Sequence, residues 1–260
     1  MGTKYMIGLS GGINSMAVLC WLAEQPNRPD EIHLYYAHFK EHSPDTFQFV
    51  ADGIRFARRH FKTVYVKITR NSIMDYFDKC LMIPHPALSN CTRELKIEPM
   101  ESYAFDKGVT VDLIGYVKHE LKRRAGNQQQ SIEQGSLFPL NKVYPIGEFT
   151  DDWCFEIVDR LIGWHPALYD ILFTREDHEQ GLCNEKEIGT RVFKHNNCLP
   201  CKNMYPHQIA AVKKYYHAYY MDAIRLSAKL GKFWGRDADE FYTTFGRDLG
   251  QEATCESCKF

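Results

Sequence analysis

Short apolar runs alternate with helical stripes along the first half of the chain, and few folds accommodate that pattern. Lys4 to Leu9 has strand length and composition, and Ser15 to Glu24 carries apolar residues at helical spacing. Glu31 to Phe39, "EIHLYYAHF", is β-branched and aromatic enough for a second strand. Pro44 to His60 shows a stripe of Phe47, Val50, Ile54 and Ala57, with Arg55, Arg58 and Arg59 off it. Thr63 to Ile68 reads as a third strand, Lys96 to Lys107 as a helix, and Val109 to Tyr116 as a fourth strand. Val143 to Glu148 reads as a short final one. This alternation predicts an α/β fold, a parallel sheet with helices on both faces. Such sheets take ligands beyond the carboxyl ends of their strands, where the strand order reverses. Ser10 to Ser15, His38 and the segment from Gly115 onward lie at such ends.

Beyond Thr150 the strand pattern fades, so residues 1–150 are expected to form the α/β domain and 151–260 a mainly helical region. Asp151 to Ile162 has an acidic start and helical spacing, and Ala125 to Ser136 is a polar Gln- and Ser-rich loop. His207 to Trp234 reads as one long helix with Tyr215, Tyr216, Tyr219 and Tyr220 beside Lys213 and Lys214. That mixture suits single-stranded nucleic acid, and equally suits tyrosines packed on a body with the lysines left wet. The net charge of −1 leaves room only for a local basic patch. No apolar run approaches the roughly 20 residues of a membrane span, and a cytoplasmic protein is expected.

The turn "SGGINS", Ser10 to Ser15, sits between the first strand and the first helix. Helix N-termini leave N–H groups unpaired, and Gly11 and Gly12 let an anion approach them closely. Ser10 and Ser15 add hydroxyl groups. A plain tight turn accounts for the same residues. Neither G-x-x-x-x-G-K-[ST] nor G-x-G-x-x-G occurs, so a Walker loop and a dinucleotide fingerprint are both excluded.

The turn resembles the pyrophosphate-binding loop, S-G-G-x-D-S, of the PP-loop ATP pyrophosphatases. Further stretches are similar to the phosphoadenosine phosphosulfate (PAPS) reductase-like branch of that superfamily. They are "SNCTRELKIEPM" (Ser89 to Met100), "GYVKHELKRR" (Gly115 to Arg124), the "YP…W…D" run after Val143, and "FKHNNCLPCKN" (Phe193 to Asn203). The likeness runs in order over most of residues 4 to 205. It implies a Rossmann-like, adenine nucleotide alpha-hydrolase-like sheet that binds ATP with Mg²⁺. One departure stands out: the loop's Asp is Asn14 here, which keeps the size and loses the charge.

By this resemblance the phosphates fall to Ser10, Gly11, Gly12, Asn14 and Ser15, and His38 reaches the base or ribose. Gly115, Lys118, Lys122, Arg123 and Arg124 supply a cationic segment at the sheet edge, where Arg forks suit phosphate oxygens. Arg93 and Lys96 form a second cationic pair, with Cys91 beside them as a candidate sulfur carrier or nucleophile.

Nine cysteines in a chain of this length point to metal rather than to a disulfide framework. Cys198 and Cys201 form one C-x₂-C pair, and Cys255 and Cys258 form another, with 53 residues between the two pairs. Two such pairs complete a tetrahedral thiolate set for zinc or hold a [4Fe-4S] cluster. A set that recruits Cys91 is the alternative implied by the resemblance. Three functions follow as expectations. The first is ATP-dependent adenylation of an acceptor with pyrophosphate release, serving sulfur transfer to an acceptor such as a nucleic acid, with sulfur from a donor such as a cysteine desulfurase. The second is reduction of a sulfonucleotide, which the absent "ECGIH"-like tail disfavours. The third is nucleotide binding without turnover, in a subunit of a larger assembly or oligomer.

Overall fold

The computed structural model describes residues 3–83, 90–121 and 140–230. It resolves into two units, and each is described by itself. Among the described residues, the first holds 3–38, 44–70 and 93–167, and the second 39–43, 71–92 and 168–230.

The first unit is built on a five-stranded sheet in the order β3-β2-β1-β4-β5. Its strands are β1 (Tyr5–Leu9), β2 (Glu31–Phe39), β3 (Thr63–Asn71), β4 (Val111–Leu113) and β5 (Asn141–Val143). β1 runs parallel to β2, with Tyr5 opposite Ile32, and to β4, with Tyr5 opposite Val111. β4 runs parallel to β5. Thr63 N donates to Asp30 O where β2 and β3 begin, and Lys40 N to Asn71 O where they end, so that pair is parallel too. This is a doubly wound α/β sheet. Met6, Ile7 and Leu9 are all buried, so both faces of the central strand are covered, as a parallel sheet requires.

The helices follow from their apolar patterns. α1 (Ile13–Glu24) is apolar nearly all round and correspondingly buried nearly all round. α2 (Thr46–His60) buries one stripe, Phe49, Val50, Gly53, Ile54, Phe56 and Ala57. It ends in Arg58, Arg59 and His60, whose charges suit a helix C-terminus. In the second unit, α3 (Ile73–Lys79) follows β3. Back in the first, α4 (Glu98–Lys107) covers the sheet face of Met6 and Tyr35 through Met100, Tyr103 and Ala104. α5 (Asp151–Leu161), capped by Thr150, packs along α1, and Arg160 clasps Glu24 at 2.6 and 3.0 Å.

Several expected boundaries move. The fourth strand is only Val111–Leu113, because the chain leaves the sheet at Ile114 to meet α1. The final strand is Asn141–Val143, and most of the segment expected as strand forms turns instead. The helix expected from Lys96 begins at Glu98, after a π turn at Arg93–Ile97. The long helix breaks at Tyr216 (φ −131, ψ 46) into α7 (Pro206–Tyr215) and α8 (His217–Leu230), while Trp234 lies outside the described residues. The loop expected at Ala125 to Ser136 also lies outside them.

The second unit gathers α3, α6 (Arg175–Glu179), α7 and α8. Its buried carboxylate is Glu41, which is 3% exposed. The carboxylate accepts from Ser72 Oγ at 2.6 Å and Ile73 N at 2.9 Å, and its carbonyl accepts from Leu199 N at 2.7 Å. A buried carboxylate so supplied is satisfied, and it sits at the positive end of α3. No described helix is long and apolar enough to cross a membrane.

One buried acid of the sheet lacks such support. Asp112 lies in register between Met6 and Lys142 and is 3% exposed. Burial pushes its carboxyl up to about 6, against the opposing pull of Lys142. A carboxyl raised in the folded state binds more protons there than when unfolded, so stability falls as pH rises from about 4 through about 6. Asp112→Asn is expected to gain up to about 3 kcal/mol at pH 8 and to converge with the parent below pH 4. Urea unfolding at both pH values measures this.

Candidate functional site

The strand order reverses at β1, whose neighbours β2 and β4 lead away in opposite directions. The loops leaving β1 and β4 therefore bound the crevice of the sheet. After Leu9 the chain turns through Gly11, whose φ of +78 is the left-handed region that favours glycine. Gly12 is the N-cap of α1, so the helix begins without a capping side chain. Its first N–H groups meet the crevice at the positive end of the helix dipole.

The serines hold the turn in shape. Ser15 Oγ donates to Gly12 O at 3.0 Å and accepts from Ser10 N at 3.1 Å, while Ser10 Oγ accepts from Gly12 N at 3.2 Å. The two hydroxyl oxygens are themselves 3.1 Å apart. Ser10 is exposed and Ser15 buried, so Ser10 is the one at the surface of the crevice.

The loop after β4 closes directly on this turn. A Cβ added at Gly115 would lie 2.7 Å from Asn14 O, 2.8 Å from Asn14 C and 3.0 Å from Ser15 N. Only glycine lets the two backbones approach so closely. Beyond it, residues 118–121 are helical, and Glu120 turns inward at 5% exposure. Asn14 Nδ2 donates to Glu120 Oε2 at 3.3 Å, and Val117 N donates to the same oxygen at 3.4 Å. Asn14 Oδ1 is buried with no hydrogen-bond partner. The sequence reading did not single out Glu120; the signal was an acid embedded among cations at the exit of the fourth strand. A buried carboxylate beside a glycine turn at a helix N-terminus is the kind of ligand Mg²⁺ takes together with phosphate oxygens.

The other expected residues are distributed as follows. Lys118 is exposed, and its N–H donates to Phe149 O at 3.0 Å. Lys122, Arg123 and Arg124 lie outside the described residues. His38 is half-buried at the end of β2, its Nδ1 3.0 Å from Tyr36 Oη and its ring edge-on to Phe47. Arg93 is exposed, with Nε 3.2 Å from Glu98 Oε1 and Nη2 3.7 Å from Glu94 Oε1. Lys96 is half-buried within the π turn.

Cys91, Cys198 and Cys201 belong to the second unit. Cys91 is buried on the helical turn Asn90–Thr92. Cys198 is buried and Cys201 half-buried, in a turn tied by Met204 N to Cys201 O at 3.0 Å. Lys202, which the sequence reading passed over, is 1% exposed, and its Nζ donates to Asn203 Oδ1 at 3.1 Å. Cys255 and Cys258 lie outside the described residues. Among the described residues no three His, Cys, Asp or Glu side chains gather as a metal ion would need. Cys20 and Cys154 are buried thiols pushed up to about 12, chiefly by burial, and are inert.

No family model matches this chain, and no curated protein matches it. Among solved structures, the chain is similar to a U34-tRNA thiolase, NcsA, from Methanococcus maripaludis with its [4Fe-4S] cluster. The identity is 12%, the TM-score 0.45, and the match covers 99% of this chain and 75% of that one. It is also similar to a phosphoadenylyl-sulfate (PAPS) reductase from Candida auris in a phosphate complex. There the identity is 14% and the TM-score 0.40, over 65% of this chain and 78% of that one.

Proposed function

We propose that the turn at Gly11 and Gly12 binds the phosphates of ATP, and that the protein transfers the adenylyl group to an acceptor with release of pyrophosphate. The observation that carries this reading is the backbone contact of Gly115 with Asn14 at the reversal of strand order. It brings a helix N-terminus and the exit of β4 together where open α/β sheets take ligands. In the transfer, an acceptor oxygen attacks the α-phosphorus, a P–O bond forms, and the bond to the bridging oxygen of pyrophosphate breaks. First-turn N–H groups of α1 and the cations Lys118, Arg123 and Arg124 stabilise charge on the leaving group, with Arg93 and Lys96 supplying further positive charge. His38 is assigned to the ribose or base. Glu120 would hold Mg²⁺, which neutralises phosphate charge when bound.

Incubation with α-labelled ATP, Mg²⁺ and bulk RNA as acceptor tests the reading. The expected products are pyrophosphate with AMP or an adenylylated RNA. ADP with inorganic phosphate overturns it. Because Asn14 adds no charge to the turn, binding of ATP without any product supports instead a subunit that binds the nucleotide and does not turn it over.

Cys198 and Cys201 are proposed as half of a four-thiolate site completed by Cys255 and Cys258. Their soft donors fit zinc or a [4Fe-4S] cluster, which would supply a structural clasp or sulfur chemistry respectively. Anaerobically purified protein is expected to carry zinc or iron in stoichiometric amount, and Cys198→Ser to lose most of it. A broad visible absorbance assigns the cluster, and a colourless zinc protein assigns the clasp. Metal content unchanged by Cys198→Ser contradicts the ligand set.

A further inference from the structure

The second unit contains a cavity of about 490 Å³ that the nucleotide reading does not use. Pockets of this size hold small organic ligands. Its apolar wall includes Phe173, Val192 and Ala211, each under a tenth exposed. Its charged lining comes from two helices. Glu176 and Asp177 of α6 line it together with Lys213 and Lys214 of α7.

The pairing of those charges limits what can enter. Lys214 Nζ lies 3.8 Å from Glu176 Oε2, and Lys214 also sits over the Tyr215 ring, 5.5 Å from its centroid. An anion drawn to Lys214 meets Glu176, and a cation drawn to Glu176 meets Lys214. Asp177 is engaged by Thr174, whose N and Oγ1 each donate to Oδ2 at 2.7 Å, while Glu176 accepts from Gln180 Nε2 at 3.2 Å through Oε1 and turns Oε2 to Lys214, so Glu176 is the carboxylate placed beside the cation. His207 also lines the cavity, and burial lowers its pKa, so its imidazole adds no net charge near neutral pH. A ligand carrying an ammonium and a carboxylate on one carbon fits between Glu176 and Lys214 as part of a ring of four alternating charges. The existing pair is exposed, and such pairs contribute only about 0–1 kcal/mol, so it offers little resistance to adjustment. The apolar wall takes whatever side chain the ligand brings.

We propose that this cavity binds a free α-amino acid with an apolar side chain, its ammonium at Glu176 and its carboxylate at Lys214 and Lys213. The site is separate in its chemistry from the proposed ATP turn, and its test contains no nucleotide.

Calorimetric titration of the full chain with L-leucine and L-phenylalanine is expected to show one site. Isoamylamine, which lacks the carboxylate of leucine, and 4-methylpentanoate, which lacks the ammonium, are expected to bind at least tenfold more weakly. Glu176→Gln and Lys214→Met, both exposed changes, should each weaken leucine at least tenfold. Ala210→Phe, on the cavity lining, should abolish the heat while an unchanged circular dichroism spectrum shows the fold intact. The proposal is overturned if no amino acid binds at millimolar concentration, or if the two analogues match leucine. It is overturned equally if Glu176→Gln and Lys214→Met leave the affinity unchanged, or if a short oligonucleotide binds and no amino acid does.

Discussion

Gly115→Ala is expected to weaken ATP binding at least tenfold and to lower the stability of the chain. The added Cβ would stand 2.7 Å from Asn14 O and 3.0 Å from Ser15 N, and these are backbone atoms. No rotamer change relieves such a clash. The β4 exit and the first turn of α1 must separate, and overpacking of this kind costs about 1–3 kcal/mol. The separation opens the crevice where the phosphates are proposed to sit, so affinity falls with it. Gly108→Ala is the control. Gly108 has φ +64, and a Cβ there meets nothing within 4 Å. The left-handed conformation costs alanine about 1–2 kcal/mol. Stability therefore falls in both variants, and ATP affinity only in Gly115→Ala. Calorimetry with ATP and thermal unfolding of both proteins measure the difference. Equal affinities would remove Gly115 from the site.

Asn14→Asp carries the second large effect. The amide donates to a carboxylate that is 5% exposed, and an aspartate would put a second negative charge about where that donor stands. Two carboxylates in one buried site cannot both ionise cheaply, so at least one pKa rises. A raised carboxyl destabilises the fold above its pKa and not below it. The variant is expected to lose about 2 kcal/mol at pH 8, a loss that shrinks near pH 4 and in millimolar Mg²⁺. Asn14→Asp with Glu120→Gln restores a single charge and is expected to regain most of the loss. Additive losses in the two single variants would show that the residues do not interact.

The glycine turn was legible in the sequence because its signals are local. Two glycines between an apolar run and a helical stripe leave the chain little choice, and Gly11 adopts the positive φ that this implies. The parallel sheet followed from the alternation for the same reason. What escaped the reading depends on distant partners. Nothing near Glu120 in sequence announces that Asn14 donates to it, and nothing near Glu41 announces that it caps α3. α3 itself buries only Ile73 and Phe77, too few for a periodic signal. The break at Tyr216 was hidden because the apolar stripe continues across it. Its tyrosines then part company: Tyr220 is buried at 2% and Tyr215 exposed at 48%. Fourth-strand length was overestimated because Ile114 to Tyr116 has strand composition, while Gly115 is committed to its contact with α1.

The central claim is that the turn from Ser10 to Ser15 is a phosphate-binding site for ATP. Its most direct measurement is a calorimetric titration of the full chain with ATP in the presence and absence of Mg²⁺. The account predicts a single site, strengthened by Mg²⁺ and weakened at least tenfold by Gly115→Ala with the fold retained. An absence of binding by the folded wild-type chain, or binding that Gly115→Ala leaves unchanged, would contradict it.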